Sequence, residues 1–371
     1  MRPLVYPDYQ RSILNVTASL LKHYHVPIST PTLPLLDAEL EKGYRNIVLW
    51  LVDGMGSSIL SRLPVNASFL QKDKKTDITS VFPSTTSSAT TSVLSGLSPQ
   101  QTGWVGWSQY FPEESRTVIL FTNQDFYQDE IVIDHPVAQK ILAYPTIYSL
   151  IEQASPEVGT AEIFPAFRTP EIDTPAKMTQ AILQKISASG RHFVYAYWDK
   201  LDTVEHQYGP SSSEALTMME AVDAAYAGLI KDVPEGTLVI VIADHGQTDV
   251  LPIPLRKYQD VCDTFLHDPS VDARAAAFFI KPDQKKLFAE RFNHHFRDHY
   301  VLIPSDRLVE SGIFGIGTPH PRFRGFLGDF MAIAIDRHYF QLIDGIEPMK
   351  GHHAGLLSEE MLVPLILHAK P

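Results

Sequence analysis

The sequence predicts an α/β protein: a mostly parallel central sheet with helices on both faces and a small inserted α+β cap. Two apolar runs lead to that prediction. Residues 47–52 and 237–243 are almost wholly apolar over strand length, and they end in Asp53-Gly54 and Asp244-His245-Gly246. Runs without polar alternation belong to strands covered on both faces, and open α/β sheets keep their chemistry in the loops at the strands' carboxyl ends. A third observation is that further strand-like runs recur with helical patterns between them.

In chain order, 47–52 is the first strand, and Gly54-Met55-Gly56 turns the backbone sharply before a helix. Residues 80–96 are rich in Ser and Thr and become helical in pattern after Pro83; 118–121 and 192–197 are further strands. Residues 212–230 carry Ala, Leu, Met and Val at helical spacing, and Pro234-Glu235-Gly236 leads into the strand 238–243. From 268 to 321 the texture changes to a strand (273–280), a charged helix (284–295) and a short strand (300–304). That segment reads as an inserted cap, which leaves 1–267 and 322–371 as the core. A core-strand pattern resumes at 326–335, and 360–367 closes the chain as a last strand.

The 371 residues suffice for one large α/β domain or two smaller ones. Lys and Arg number 31 against 43 Asp and Glu, a net charge of −12, which argues against broad binding of nucleic-acid polymers or anionic membranes. An anionic substrate must then be attracted locally, as bound cations would do. The first residues lack a basic segment followed by an apolar run, and no stretch approaches the roughly 20 apolar residues of a membrane helix. Cys262 is the one cysteine, so neither an internal disulfide nor a thiolate metal site is available. Cytoplasmic residence is the expectation, and metal ligands must be Asp, Glu or His.

Four places carry candidate chemistry. Asp53 and Asp244-His245 stand at the ends of two buried strands; as isolated features they read equally as N-cap acids, but two such ends in one sheet can face a common crevice. Asp202 and His206 are four residues apart, so one helical turn presents both on one face, as two ligands of one ion or as a solvated polar pair. Asp199 and Glu205 are neighbouring acids that could ligate instead. His352 and His353 lie in a loop flanked by Gly351 and Gly355, which permits close approach to an ion; a surface turn is the alternative. In the hydroxyl-rich stretch, one Ser or Thr of the first helical turn could face the crevice, or Ser84 or Thr85 simply caps the helix while the other hydroxyls are solvated.

Taken together, and in this order, Leu51-Val-Asp53-Gly, Phe82-Pro-Ser-Thr-Thr86 with Ser95-Gly96, Asp202-Thr-Val-Glu-His206, Ala243-Asp-His245-Gly and Gly351-His-His353 resemble the alkaline phosphatase superfamily. The likeness is greatest to its type I phosphodiesterase/nucleotide pyrophosphatase branch. The resemblance implies an alkaline phosphatase-like fold and a phosphoric ester hydrolase with Thr86 as nucleophile. It implies one metal held by Asp202, His206 and His353 and another by Asp53, Asp244 and His245, with zinc the usual ion and manganese compatible with the same ligands. The reaction would pass through a covalent phospho-threonine, and the substrate would be a small phosphate ester or phosphonate. His353 is preferred to His352 because the family pattern is Gly, any residue, His, then a small residue. Trp107 departs from the pattern, since phosphodiesterase members usually carry an asparagine there. An indole donates at most one hydrogen bond, so the pocket could favour a base, a lipid-like group or a phosphonate, or Trp107 is a core residue and Ser108 takes the role.

Within the superfamily, phosphomonoesterase, phosphonate hydrolase and phosphomutase are alternatives that use the same ions and nucleophile. Sulfatase is disfavoured because no Cys or Ser near Thr86 lies in a Cys/Ser-x-Pro-x-Arg context. A non-catalytic metal-dependent binding protein on the same scaffold is the reading from another class. A serine hydrolase would need a Gly-x-Ser-x-Gly elbow at a strand-to-helix junction, and none appears.

Overall fold

A computed structural model describes residues 4–371. Its central sheet has six strands in the order β2-β16-β7-β1-β6-β5: β1 (Asn46–Val52), β2 (Lys74–Thr79), β5 (Val158–Ile163), β6 (Arg191–Trp198), β7 (Thr237–Ile242) and β16 (Leu362–Lys370). The β5–β6, β6–β1 and β1–β7 pairs are parallel, and β16 is antiparallel to both β7 and β2. Every residue of β1 and β7 is buried, so both faces of these strands are covered, as their unbroken apolar runs demand. Helices Ile13–His23, Thr86–Ser95, Pro175–Ile186 and Ser213–Asp232 supply much of that cover, the last starting at a Ser212 hydroxyl that accepts from Ala215 N–H. The mostly parallel α/β class expected from the sequence is the observed one.

A second, antiparallel sheet runs β12-β13-β11-β10-β3-β4. Its members are β3 (Ser108–Phe111), β4 (Arg116–Ile119), β10 (Phe265–Val271), β11 (Ala275–Ile280), β12 (Tyr300–Pro304) and β13 (Phe330–Ala334). Helix Lys285–Phe296 places Phe288, Phe292 and Phe296 on one face at four-residue spacing, where they join Phe265, Phe278 and Phe340 in an aromatic core. The segment 268–321 therefore contributes to a sheet that also recruits 108–119 and 330–334. Two strands read from the sequence alongside the central ones, at 118–121 and 326–335, pair here instead; an apolar run reports burial but not which sheet buries it. Two short ribbons join the layers: β9 (Leu251–Pro254) with β14 (His338–Gln341), and β8 (Thr248–Asp249) with β15 (Gly351–His352). Among the described residues no helix is long and apolar enough to cross a membrane.

Candidate active site

Parallel pairing brings the two strand-end acids together. The β1–β7 register runs from Asn46 opposite Thr237 to Leu51 opposite Ile242; continued two residues further, it sets Asp53 level with Asp244. Gly54, at φ +77°, turns the chain there, and its N–H donates to Asp244 Oδ1 at 3.2 Å. His245 Nε2 lies 3.4 Å from Asp53 Oδ1 and 3.4 Å from Asp244 Oδ2. These three donors form one compact buried group.

A second group lies beside it. Helix Lys200–Tyr208 carries Asp202 and His206 one turn apart, with His206 Nε2 3.4 Å from Asp202 Oδ2. Gly351 allows the following loop to reach them, because a Cβ there would stand 2.4 Å from the Glu205 carbonyl oxygen. His353 Nε2 then comes within 3.8 Å of Asp202 Oδ1, while neighbouring His352 turns its Nδ1 toward Asp272, 3.8 Å away. The His245 and His353 rings stack with centroids 3.8 Å apart, which sets the two groups side by side.

All three imidazoles of these groups are oriented alike. His206 Nδ1 lies 2.9 Å from the Gly351 carbonyl oxygen, His353 Nδ1 3.1 Å from that of Ser84, and His245 Nδ1 3.2 Å from that of Gly246. A carbonyl only accepts, so each Nδ1 carries a hydrogen and each Nε2 is the ring nitrogen left facing the cluster, the arrangement found in metal-binding histidines. The carboxylates show the complementary defect: Asp53 Oδ1 and Asp244 Oδ2 are buried without a hydrogen-bond partner among the described residues. Burial, reinforced by Asp244 and Asp202, pushes the Asp53 carboxyl well above its ordinary range, and burial also raises Asp244. Burial, then the neighbouring imidazoles of His245, His206 and His352, holds His353 well below its usual value and therefore neutral. Orphaned acceptors and imidazole Nε2 atoms converging in one place fit divalent cations, which would satisfy both.

Thr86 opens helix Thr86–Ser95, and its hydroxyl lies 3.2 Å from His245 Nε2. Thr85 occupies the N-cap position, but its side chain donates to Asp272 Oδ2 at 2.9 Å instead of capping. The reading that the remaining hydroxyls are solvated is not what the fold does. Nearly all of this helix is buried, with Ser88 and Thr90 bonding backbone carbonyls, because small side chains let it lie against helix Ile13–His23. Of the alternative acids, Glu205 is buried behind Gly54 and Asp199 faces Lys200.

Three residues of the site carried no signal in the sequence. Tyr197 donates its hydroxyl to Asp53 Oδ2, Gln247 donates its amide to Asp202 Oδ1, and buried Asp272 lines the pocket beside Thr85. Each acts on a partner distant in the chain, and no local spacing marks it. The pocket in front of Thr86 holds about 350 Å³ between the two sheets. Trp107 belongs to its wall, not to the core, and is 36% exposed with its ring against Phe121.

Comparison with solved structures gives the same fold. Murine ectonucleotide pyrophosphatase/phosphodiesterase 5 superposes with a TM-score of 0.66 at 16% identity, covering 87% of this chain and 88% of that one. Phosphonoacetate hydrolase from Sinorhizobium meliloti 1021, solved with phosphonoacetate, superposes at 0.68 with 15% identity and 93% of each chain covered. The sequence profile described as "Type I phosphodiesterase / nucleotide pyrophosphatase" matches residues 47–320, and the chain belongs to that family of phosphoric ester hydrolases within the alkaline phosphatase superfamily.

Proposed function

We propose that the protein hydrolyses phosphodiesters through a covalent phospho-threonine on Thr86, with Asp202, His206 and His353 holding one divalent ion and Asp53, Asp244 and His245 a second. The observation that carries this reading is the common orientation of the three imidazoles: each Nδ1 is spent on a backbone carbonyl, while the Nε2 of His245 faces the orphaned oxygens of Asp53 and Asp244 beside the Thr86 hydroxyl and those of His206 and His353 face Asp202. All-N/O ligation by His and Asp favours zinc, with manganese compatible. Bound there, the ions would supply Lewis-acid charge to the phosphoryl oxygens and to the attacking hydroxyl.

The chain's own residues account for the rest. Thr86 Oγ1 gives its proton to water and bonds to phosphorus while the bond to the leaving oxygen breaks, and that oxygen takes a proton from water and departs as the alcohol. A water molecule then attacks the phospho-threonine, the bond from phosphorus to Oγ1 breaks, and Thr86 regains its hydroxyl proton. The N-terminus of helix Thr86–Ser95 favours the anionic phosphoryl group, since its first N–H groups lack intrahelical partners.

The pocket favours a diester over a compact dianion. Its described lining contains neither Lys nor Arg and is dominated by Trp107, Phe126, Tyr339, Leu342, Ile346 and Met349, while Asp272 adds an acid. A dianionic monoester or phosphonocarboxylate would find no cationic side chain there, whereas a monoanionic diester with an apolar or aromatic substituent would bury it against that wall. The wall comes largely from the second sheet and its flanking loops, and we assign that layer, which includes 268–321, the role of a cap. The single cysteine suits a reducing compartment, so cytoplasmic residence is part of the proposal, checked by fractionating cells that express the chain.

The decisive variant is Thr86→Ala, which removes the nucleophile and no proposed ligand. It should lower hydrolysis of bis-p-nitrophenyl phosphate on the order of 10³-fold or more while metal content stays at the wild-type level. A wild-type rate would exclude Thr86. Asp244→Asn and His206→Ala should each lower metal content, and full occupancy with full rate in either variant would remove that residue from the ligand set. Phosphonoacetate hydrolysed faster than the diester would overturn the substrate class.

A further inference from the structure

Away from the candidate active site, a separate set of nitrogen and oxygen donors converges where β12 starts and β13 passes into β14. Tyr300 pairs with Ala334, and Ile335 N–H donates to the His299 carbonyl at 2.9 Å, so His299 lies against the chain as it leaves β13. Asp336 Oδ1 accepts the His338 N–H at 2.8 Å, which folds the carboxylate back over its own turn. His299 Nδ1 is then 2.8 Å from Asp336 Oδ2, and His338 Nδ1 is 2.9 Å from both carboxylate oxygens. One donor atom from each of the three residues lies within 4.8 Å of the others, a limit that the two groups beside Thr86 also meet.

We propose that His299, Asp336 and His338 form an additional divalent-cation site of the zinc type. Two imidazoles from separate stretches of chain, their ring centroids 3.8 Å apart, aim the same ring atom at one carboxylate. Two nitrogens and one oxygen suit a borderline cation, and the side chains are 23–35% exposed, so water can complete the shell. The backbone beneath is fixed in advance. Buried Arg274 donates Nη1 to the carbonyls of both Asp336 (2.9 Å) and His338 (2.6 Å), while Glu360 holds its other nitrogens at 2.7 Å each. Such support lowers the ordering needed when an ion binds. The consequence is structural: β14 begins at His338 and continues into the pocket wall at Tyr339, so a cation here ties that wall to the β12–β13 edge.

The test is zinc content by plasma mass spectrometry after metal-stripped protein is dialysed to equilibrium against micromolar free zinc. His299→Ala and His338→Ala should each hold one zinc per chain fewer than wild type, and the same single loss should appear when His299→Ala is made in an Asp244→Asn background. The difference is read whatever the wild-type total, so failure of the proposed active-site ligation leaves it intact. His299→Gln, which keeps the shape of a partly exposed side chain, guards against misfolding, with circular dichroism as the check. Equal zinc content in wild type and in all of these single variants would overturn the site.

Discussion

At the scale of single residues, Asp272 shows how far the environment sets the chemistry of a group. It follows Val271, whose φ of +77° is strained for a β-branched residue, and Gly106 packs against that backbone so closely that a Cβ there would lie 2.5 Å from the Val271 Cα. The strained turn aims the Asp272 carboxylate at Thr85. Burial pushes its pKa up to about 6, against the opposing pull of the Thr85 hydroxyl and the Ala273 N–H. Because the folded value lies above the unfolded one, Asp272 costs no stability below about pH 4, and stability is lost as pH rises toward and through about 6. In Asp272→Asn that loss should vanish. The unfolding free energy of the variant minus that of wild type, both stripped of metal, should rise by about 2–3 kcal/mol between pH 4 and pH 7.5. Urea titrations at the two pH values measure it, and a difference independent of pH would refute the assignment.

At the scale of elements, the site depends on loops that approach more closely than side chains allow. A Cβ on Gly246 would stand 2.2 Å from the Glu359 carbonyl oxygen, and one on Gly56 2.6 Å from the Gly246 Cα. Backbone cannot yield as a flexible side chain can, so Gly246→Ala must displace the turn that carries Asp244 and His245. Stability should fall by about 1–3 kcal/mol, as in overpacked cores, and zinc content should fall with it. Thermal unfolding and metal analysis of the variant check both; an unchanged zinc content would mean the turn absorbs the methyl elsewhere. These same elements explain what the sequence reveals and what it hides. The ends of β1 and β7, the Asp202–His206 turn and the glycine-bounded His353 loop are legible because each combines a local period with an abrupt stop. The membership of β4 and β13 in the second sheet is not, since their apolar character is satisfied equally by either sheet. Tyr197, Gln247 and Asp272 are hidden for a related reason: each is defined by a partner far along the chain, while its own neighbourhood reads as ordinary strand or loop. The burial of the Ser/Thr-rich helix escapes too: Thr90 and Ser95 bond carbonyls of their own helix and need no water, and the small side chains let the helix pack closely whatever their polarity.

At the scale of the whole molecule, one sheet supplies a rigid floor of strand ends and the other a largely apolar wall, and ionisable groups are concentrated at the seam. A protein of net charge −12 that buries Asp53 and Asp244 side by side stores unfavourable charge unless cations offset it. In the metal-free protein the raised Asp53 carboxyl makes folding less favourable as pH climbs above the ordinary carboxylate range. The depressed His353 makes folding less favourable as pH falls below about 6.5 toward its folded value. Cations reverse the first effect and require the neutral imidazole that the second describes, so the stabilisation they give should grow from pH 6 to pH 8. With zinc at about 1,000 times its dissociation constant, the gain is about 4 kcal/mol per site. EDTA should therefore lower the unfolding temperature by several degrees at pH 8 and by less at pH 6, with zinc restoring both. The same treatment of His299→Ala should shift the unfolding temperature less than it shifts wild type, because one cation fewer is there to lose. An unfolding temperature indifferent to EDTA at both pH values would mean that the orphaned carboxylates are held protonated, not neutralised by cations.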